Sequence, residues 1–282
     1  MSNSKVAIIT GGASGLGLAV VEVLSRKGWH VHIFDLHEVD GVASLSNCIS
    51  HKVDVASWDS LSSSFDAVFK NEGRLDFVFA NAGIMENGKF FERHDLSSPL
   101  PEPEELSIDV NLKGVIRTSY LAQHYFRANT NSGKDCVFII TSSIAGIYPQ
   151  AITPLYAASK AGMLNFMRSV APIFHEDGIR TYAICPGSVR TNLLPKELWD
   201  AYPQEYLTQM EKVTSTVESL VDGTAFEDSR GQKFEKSTVG LAVEIFVADV
   251  YFRRPPEPCN ESMRLILEHM RPGKGERVDE SG

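Results

Sequence analysis

Short apolar runs alternate along the chain with segments in which apolar residues recur every three or four positions. The short runs predict buried strands, and the periodic segments predict amphipathic helices between them. Because strands and helices alternate, the pattern predicts an α/β fold, a doubly wound parallel sheet with helices on both faces. We expect about seven strands, at residues 6–10, 28–35, 48–55, 75–80, 136–140, 179–185 and, as the last, 241–247.

The remaining segments are helices, loops and a tail. Ser57 is a suitable N-cap for a helix that ends near Asn71. Further helices are expected from about Glu104, from Gly114 to Asn129, over 213–221 and near 263–267, with loops at 86–103 and 222–236. We expect residues 1–250 to form one domain and 251–282 a C-terminal extension, frayed from residue 273 onward.

A glycine-rich loop follows the first predicted strand and opens the first predicted helix. The glycines in Gly11-Gly12-Ala13-Ser14-Gly15-Leu16-Gly17 let a backbone approach a pyrophosphate, and the helix N-terminus supplies N–H groups and partial positive charge. The spacing is Gly-x-x-x-Gly-x-Gly, so the loop predicts a phosphate site, with a ligand-free turn as the alternative.

The second predicted strand ends in a carboxylate, Asp35. A carboxylate at this position can accept hydrogen bonds from adenosine ribose hydroxyls and repels a 2′-phosphate. Ser14 and Leu36 supply no arginine for such a phosphate. The pattern favours NAD over NADP, although an aspartate at a strand end is also a common turn former.

Chemistry-bearing residues follow several predicted strands. In a parallel sheet the carboxyl ends of the strands meet at one edge, where ligands bind. This edge is expected to collect Thr10, Asp35, Asp54, Asn81 and Ser143, and the segment that follows the sixth strand, Pro186-Gly187-Ser188-Val189-Arg190-Thr191, ends there too.

Tyr156 and Lys160 lie four residues apart in a predicted helix and so share one face. An ammonium there favours the phenolate, which would make Tyr156 a general base, and Ser143 can offer a hydroxyl to the same substrate oxygen. A phenol pKa near 10 must fall by about 3 units to serve at neutral pH, about 4 kcal/mol, more than one lysine supplies. Taken alone, the Tyr-x-x-x-Lys spacing also fits a chance surface pair.

Composition and motif spacing argue against several other classes of protein. A net charge of −9 argues against nucleic acid or anionic membrane as a partner. No apolar run is long enough for a membrane span, and no secretory leader pattern precedes the first strand, so a cytoplasmic location is expected. The four cysteines are widely spaced and the histidines form no metal-binding pair, so no metal is expected.

An apolar, aromatic segment, 192–210, follows the sixth predicted strand. As a lid, together with the loop up to residue 236, it would cover the site and favour an apolar substrate. Plain packing or a subunit contact would produce the same pattern, so both interpretations stay open.

These motifs together resemble the short-chain dehydrogenase/reductase family over roughly residues 5–250. The resemblance is carried by Thr10-Gly11, Gly15-Leu16-Gly17, Asp54-Val55, Asn81-Ala82-Gly83, Asn111, Ser143, Tyr156-x-x-x-Lys160 and Pro186-Gly187 with Thr191. Within the family the chain looks most like NAD-dependent alcohol dehydrogenases of the 15-hydroxyprostaglandin dehydrogenase-like group, including fungal members. One departure is Ala80, where the family usually has asparagine.

The resemblance implies a Rossmann-type fold and a set of roles. The implied catalytic residues are Asn111, Ser143, Tyr156 and Lys160, with Tyr156 as general acid/base, its pKa lowered by Lys160 and the cofactor's positive ring, and Asn111 anchoring a relay water. The implied NAD-binding residues are Gly11, Ser14, Gly15, Leu16, Gly17, Asp35, Leu36, Asp54, Val55, Asn81, Ala82, Gly83, Tyr156, Lys160, Pro186, Gly187, Val189 and Thr191.

The function expected from this resemblance is NAD-dependent interconversion of a secondary alcohol and a ketone, in secondary metabolism, by a homodimer or homotetramer. The expected partner is a small apolar alcohol or ketone. Two alternatives remain: an isomerase, epimerase or cyclase that uses the cofactor without net redox change, and a non-enzymatic sensor of the nucleotide.

Overall fold

The computed structural model describes residues 4–37 and 47–270. The strands are β1 (Val6–Thr10), β2 (His30–Asp35), β3 (Cys48–Lys52), β4 (Phe77–Ala80), β5 (Val137–Thr141), β6 (Arg180–Pro186), β7 (Phe226–Glu227), β8 (Lys233–Phe234), β9 (Leu241–Phe246) and β10 (Asp249–Arg253). The α-helices are α1 (Gly15–Arg26), α2 (Trp58–Glu72), α3 (Gly114–Ala128), α4 (Pro154–Glu176), α5 (Lys196–Ala201), α6 (Met210–Asp222) and α7 (Glu261–His269).

Eight strands form one sheet in the order β10-β9-β6-β5-β4-β1-β2-β3. Every pairing is parallel except β10 with β9, which is antiparallel. The central strands β1, β4 and β5 are buried along their whole length, as the continuous apolar runs predict. The doubly wound parallel sheet predicted from the sequence is confirmed.

Apolar layers cover both faces of the sheet. One contains Phe65, Phe126 and Met163 from α2, α3 and α4. The other contains Val21 and Val217 from α1 and α6. The sheet is therefore held rigidly between helices, and its carboxyl edge is a fixed platform for a site.

The structure contains strands that the sequence analysis did not predict. The strand 241–247 is not the last, because β10 adds an antiparallel edge strand in which Val250 and Phe252 are buried between more exposed neighbours. The charged residues Asp249 and Arg253 at the two ends of this short segment made its alternating pattern difficult to recognise in the sequence. The predicted loop 222–236 contains the β7–β8 hairpin, because Phe226 packs on Phe234 and Phe252.

The helices predicted from Ser57, over 213–221 and near 263–267 are found as α2, α6 and α7, whereas α5 was not predicted. Ser57 caps α2 by accepting a hydrogen bond from the amide of Ser60. The two helices expected around Gly114 form one continuous element, in which a π-helical turn, Ile108–Lys113, runs directly into α3. The tail from residue 273, predicted to be frayed, lies outside the described residues. Among the described helices, none combines the length and apolarity that a bilayer crossing needs.

Candidate active site

A cleft of about 1100 Å³ opens at the carboxyl edge of the sheet. Most of the predicted site residues line it, from the glycine loop at one end to the Tyr156 helix at the other. The lining includes Gly11, Ser14, Gly15, Leu16, Asp35, Leu36, Asp54, Val55, Asn81, Ala82, Gly83, Ser143, Tyr156, Lys160, Pro186, Gly187, Val189 and Thr191. Gly17 and Asn111 are predicted site residues that do not line the cleft.

The glycine loop is packed so tightly that side chains are excluded at two positions. Gly11 has a left-handed backbone, φ +64°, and a Cβ there would lie 2.7 Å from the Cα of Ala82. A Cβ on Gly17 would lie 2.1 Å from the main-chain oxygen of Gly11. Gly17 therefore allows α1 to approach the loop rather than contacting a ligand itself.

The N-terminus of α1 keeps its capacity for an anion. Ser14 occupies the N-cap, but its side chain makes no capping hydrogen bond, and the first turn of the helix carries no acidic residue. Uncapped N-terminal amides and the helix dipole favour a negatively charged group at this point. The residues present thus fit a pyrophosphate.

Asp35 is fixed above the loop by two main-chain amides. Its Oδ2 accepts a hydrogen bond from the amide of Ala13 at 3.0 Å and its Oδ1 one from the amide of His37 at 3.2 Å. Leu36 beside it is half exposed. A carboxylate held in place at the rim of the cleft suits hydroxyl recognition.

Asn81 joins the ends of three strands. Its side-chain amide donates to the main-chain oxygens of Thr10 and Gly11, both at 3.2 Å, and its Oδ1 accepts from the hydroxyl of Thr141 at 2.9 Å. The hydroxyl of Thr10 in turn accepts from the amides of Asn81 and Ala82. This network sets the floor of the cleft between β1 and β5.

Three of the four residues implied for catalysis, Ser143, Tyr156 and Lys160, converge at the other end of the cleft. Tyr156 and Lys160 come from the start of α4, and Ser143 lies just after β5. The Nζ of Lys160 is 5.5 Å from the centre of the Tyr156 ring and donates to the main-chain oxygen of Thr141 at 2.8 Å. Tyr156 and Lys160 are both buried, with 9% and 3% exposure.

The Tyr156 pKa differs from the simple expectation that a neighbouring ammonium lowers it. Burial raises the pKa of the Tyr156 phenol, and the hydrogen bond from Ser143 opposes that rise only in part. Burial also lowers the pKa of Lys160 to about 8. Burial of Tyr156 therefore favours the neutral phenol, and a further positive charge in the cleft would favour the phenolate.

Asn111 lies at the centre of the π-helical turn and is completely buried. Its Oδ1 accepts from the amide of Ile84 at 2.8 Å, and its Nδ2 donates to the oxygen of Ile84 at 3.0 Å and to the Ser159 hydroxyl at 3.1 Å. The Ser159 hydroxyl donates to the main-chain oxygen of Tyr156. The Asn111 side chain therefore ties the loop after β4 to α4. The relay water that the resemblance implies at Asn111 stays a prediction.

The segment 192–210 lies partly over the cleft. Leu193, Leu194 and Trp199 line it, and Trp199 is buried while its indole N–H donates to the main-chain oxygen of Thr191 at 2.7 Å. The Tyr202 hydroxyl is 2.9 Å from the Ser188 hydroxyl. The segment is thus fastened to the turn after β6 and contributes apolar surface to the cleft.

Sequence reasoning missed two residues beside Tyr156. Thr141 receives the Lys160 ammonium through its main-chain oxygen, which no side-chain pattern reveals. Glu86, assigned only to a surface loop, accepts a hydrogen bond from the amide of Tyr156 at 2.6 Å. Glu86 and Tyr156 are 70 positions apart in the sequence, so no local spacing could have predicted their contact.

The described part of the chain offers no cluster of three or more histidine, cysteine or carboxylate side chains suited to a metal ion. The cleft has a phenol, a hydroxyl and an ammonium at one end and a glycine-rich loop at the other. Groups of the first kind are suited to general acid–base chemistry.

Comparison with known proteins agrees with this arrangement. The model of the short chain dehydrogenase family matches residues 5–200. A short-chain dehydrogenase/reductase of Penicillium rubens, prx7, is 38% identical over 268 residues, which is 90% of this chain and 95% of the relative. Human 15-hydroxyprostaglandin dehydrogenase [NAD(+)] is 36% identical over 203 residues, 68% of this chain and 71% of the relative.

Solved structures resemble the fold as well. The 3-oxoacyl-[acyl-carrier protein] reductase of Brucella melitensis, solved in complex with NAD, superposes with a TM-score of 0.68 at 25% identity, covering 79% of this chain and 92% of the other. Sequence match, fold and cleft agree: the chain belongs to the short-chain dehydrogenase/reductase family of oxidoreductases.

Proposed function

We propose that the protein is an NAD(H)-dependent oxidoreductase that interconverts a secondary alcohol and a ketone of largely apolar character. The observation that carries the proposal is the convergence of Ser143, Tyr156 and Lys160 at one end of a cleft whose other end is a glycine-lined anion site. Both a substrate oxygen and a dinucleotide would meet there.

The residues around the cleft fit NAD. The uncapped N-terminus of α1 would take the pyrophosphate, and the Asp35 carboxylate would accept hydrogen bonds from the adenosine ribose. The Lys160 ammonium would hold the nicotinamide ribose. The NAD named in the human relative and in the bacterial reductase complex supports the same choice.

When bound, NAD would supply the hydride acceptor for alcohol oxidation, and its ring would add a positive charge to that of Lys160 beside Tyr156. In that direction Ser143 would hold the substrate hydroxyl, and Tyr156 would take its proton. Lys160 would favour the phenolate by its charge, while burial of Tyr156 excludes water from the proton transfer. In the reverse direction Tyr156 would return the proton to the carbonyl oxygen.

The substrate end of the cleft favours apolar molecules. Its walls include Met85, Leu106, Val110, Leu194 and Trp199. A few polar side chains, among them Gln150 and Thr153, would orient rather than bind the bulk of the substrate.

The experiment is a panel of secondary alcohols and ketones assayed by NADH absorbance with wild type, Tyr156→Phe and, as control, Tyr120→Phe. Tyr120 is a largely exposed tyrosine on α3. We expect turnover in wild type and control and a loss of at least about 100-fold in Tyr156→Phe. Unchanged turnover in Tyr156→Phe would remove the proposal, and product formed with no net NADH would favour an isomerase, epimerase or cyclase.

A further inference from the structure

Glu86 lies at the start of the loop that runs from β4 to the π-helical turn. Its Oε2 accepts the hydrogen bond from the amide of Tyr156 described above, at 2.6 Å. Its Oε1 is buried and has no donor among the described residues. A buried carboxylate oxygen with no partner is costly, so this side chain is not there for stability alone.

The N-terminus of α4 needs an external partner. Thr153 occupies the N-cap, but its side chain makes no capping hydrogen bond. Pro154 has no N–H, and the amide of Tyr156 lies in the first turn, where no carbonyl of the helix can reach it. A carboxylate from elsewhere in the chain therefore caps the helix, and the helix dipole favours its negative charge.

The capped residue is Tyr156 itself, whose ring must meet a substrate oxygen. A second contact holds the same residue from the other side, since the Ser159 hydroxyl donates to the Tyr156 main-chain oxygen and receives the Asn111 amide. The backbone of Tyr156 is thus fixed at both its N–H and its C=O by side chains. Displacement of a reacting group by about 1 Å costs up to about 100-fold in rate.

We propose that Glu86 is a positioning residue for Tyr156, and that its carboxylate couples the loop 86–105 to the first turn of the catalytic helix. The inference rests on the proposed function, because it gives Tyr156 the role of general acid/base. The loop begins beside Met85 and ends beside Leu106, both of which line the cleft. A substrate that moves the loop would therefore also act on the backbone of Tyr156.

The negative charge of Glu86 should also affect the ionisation of Tyr156, an effect that a neutral capping group would not have. Lys160 places an ammonium near the Tyr156 ring and Glu86 a carboxylate at the Tyr156 amide, while Ser143 meets Tyr156 through a neutral hydroxyl. A nearby negative charge disfavours the phenolate, and a neutral replacement removes that effect. The acid limb of the kcat–pH profile for alcohol oxidation should then move to lower pH.

The test compares Glu86→Ala and Glu86→Gln with Glu92→Ala, a change at an exposed glutamate of the same loop. We expect Glu86→Ala to lower kcat about 10- to 100-fold with the KM for NAD unchanged. Glu86→Gln should restore most of kcat, because its amide oxygen can still accept from Tyr156. Both Glu86 variants should shift the acid limb to lower pH, and Glu92→Ala should shift nothing.

Amide hydrogen exchange gives a readout that does not depend on turnover. In Glu86→Ala the amide of Tyr156 should exchange faster, while amides deeper in α4 keep their wild-type rates. Wild-type kcat in Glu86→Ala, or an unchanged acid limb in both Glu86 variants, would overturn the inference. If wild type turns over no alcohol or ketone, the proposed function fails, while the exchange of the Tyr156 amide still tests the capping role.

Discussion

The ammonium of Lys160 donates to the main-chain oxygen of Thr141 at 2.8 Å, so the last residue of β5 holds the charged group that faces Tyr156. This contact orients the Lys160 side chain, which is buried beneath the ring of Tyr156 and within reach of the cleft. It also explains how a buried lysine is tolerated, because one of its donors has a strong acceptor.

Lys160→Met should weaken NAD binding and lower kcat by about 100-fold or more, because it removes both a ribose contact and the charge beside Tyr156. In wild type, burial lowers the Lys160 pKa to about 8. NAD affinity should therefore fall as pH rises through about 8 in the wild type, and should lose this step in Lys160→Met. Titration calorimetry across this pH range measures both, and a wild-type affinity independent of pH would contradict the assignment.

Asp35 should determine the choice of cofactor. Asp35→Asn keeps an acceptor for the amide of Ala13 but removes the charge that repels a 2′-phosphate. We expect kcat/KM to fall for NAD and rise for NADP, and the double change Asp35→Asn with Leu36→Arg to reverse the preference. The measurement is kcat/KM for each cofactor with one substrate. A wild type that prefers NADP would refute the role given to Asp35.

Replacing Gly17 should lower the stability of the fold through a packing clash, rather than by removing a contact to the cofactor. A Cβ there would meet the Gly11 oxygen at 2.1 Å, so Gly17→Ala forces α1 away from the loop and should lower the free energy of unfolding by about 3 kcal/mol. Gly73→Ala is the control, because a Cβ on Gly73 would meet open space. The strain there comes from the left-handed backbone alone. That change should cost about 1 kcal/mol. Urea unfolding of both variants measures the difference, and equal losses would contradict the packing argument.

The parallel sheet could be predicted from the sequence because β1, β4 and β5, which are buried along their whole length, are continuous apolar runs. The sequence also located Asp35 and Ser143, since ends of parallel strands must share one edge. It could not reveal Glu86 or the main-chain oxygen of Thr141, which meet α4 only through tertiary contacts. The raised pKa of Tyr156 was likewise hidden, because burial is a property of the folded chain.

Acid should destabilise the fold through three side chains on β2, β3 and α2. His32 and His51 are 2.9 Å apart, and the other ring nitrogen of His32 is 3.2 Å from Glu72. Burial, and then the charge of His51, lower the pKa of His32 to about 4. Burial also lowers the pKa of His51. Burial acts to raise the pKa of Glu72, but hydrogen bonds from His30 and His32 outweigh it and lower that pKa.

An unfolded histidine takes up a proton near pH 6.5, whereas His32 in the folded protein does so only near pH 4. Between these pH values the unfolded state binds more protons than the folded state. The contribution of His32 to the free energy of unfolding is therefore fully present above about pH 6.5 and is lost as pH falls, by up to about 3 kcal/mol. Urea midpoints from pH 7.5 to 4.5 should decline in the wild type and in the exposed control His94→Gln. They should decline less in His32→Gln, and an equal slope in all three proteins would contradict the prediction.

Trp199 should decide between a lid and plain packing for the segment 192–210. Its indole is buried, lines the cleft and donates to the Thr191 oxygen at 2.7 Å. If the segment covers the substrate, Trp199→Phe should raise the KM for an apolar alcohol several-fold, because a smaller phenyl ring replaces the indole and the hydrogen bond to Thr191 is lost. The half-exposed neighbour Leu198, changed to Ser, should leave KM unchanged. A lower melting temperature in Trp199→Phe with KM unchanged would instead assign Trp199 to packing, because a residue that only fills the core affects the folded fraction and not substrate affinity.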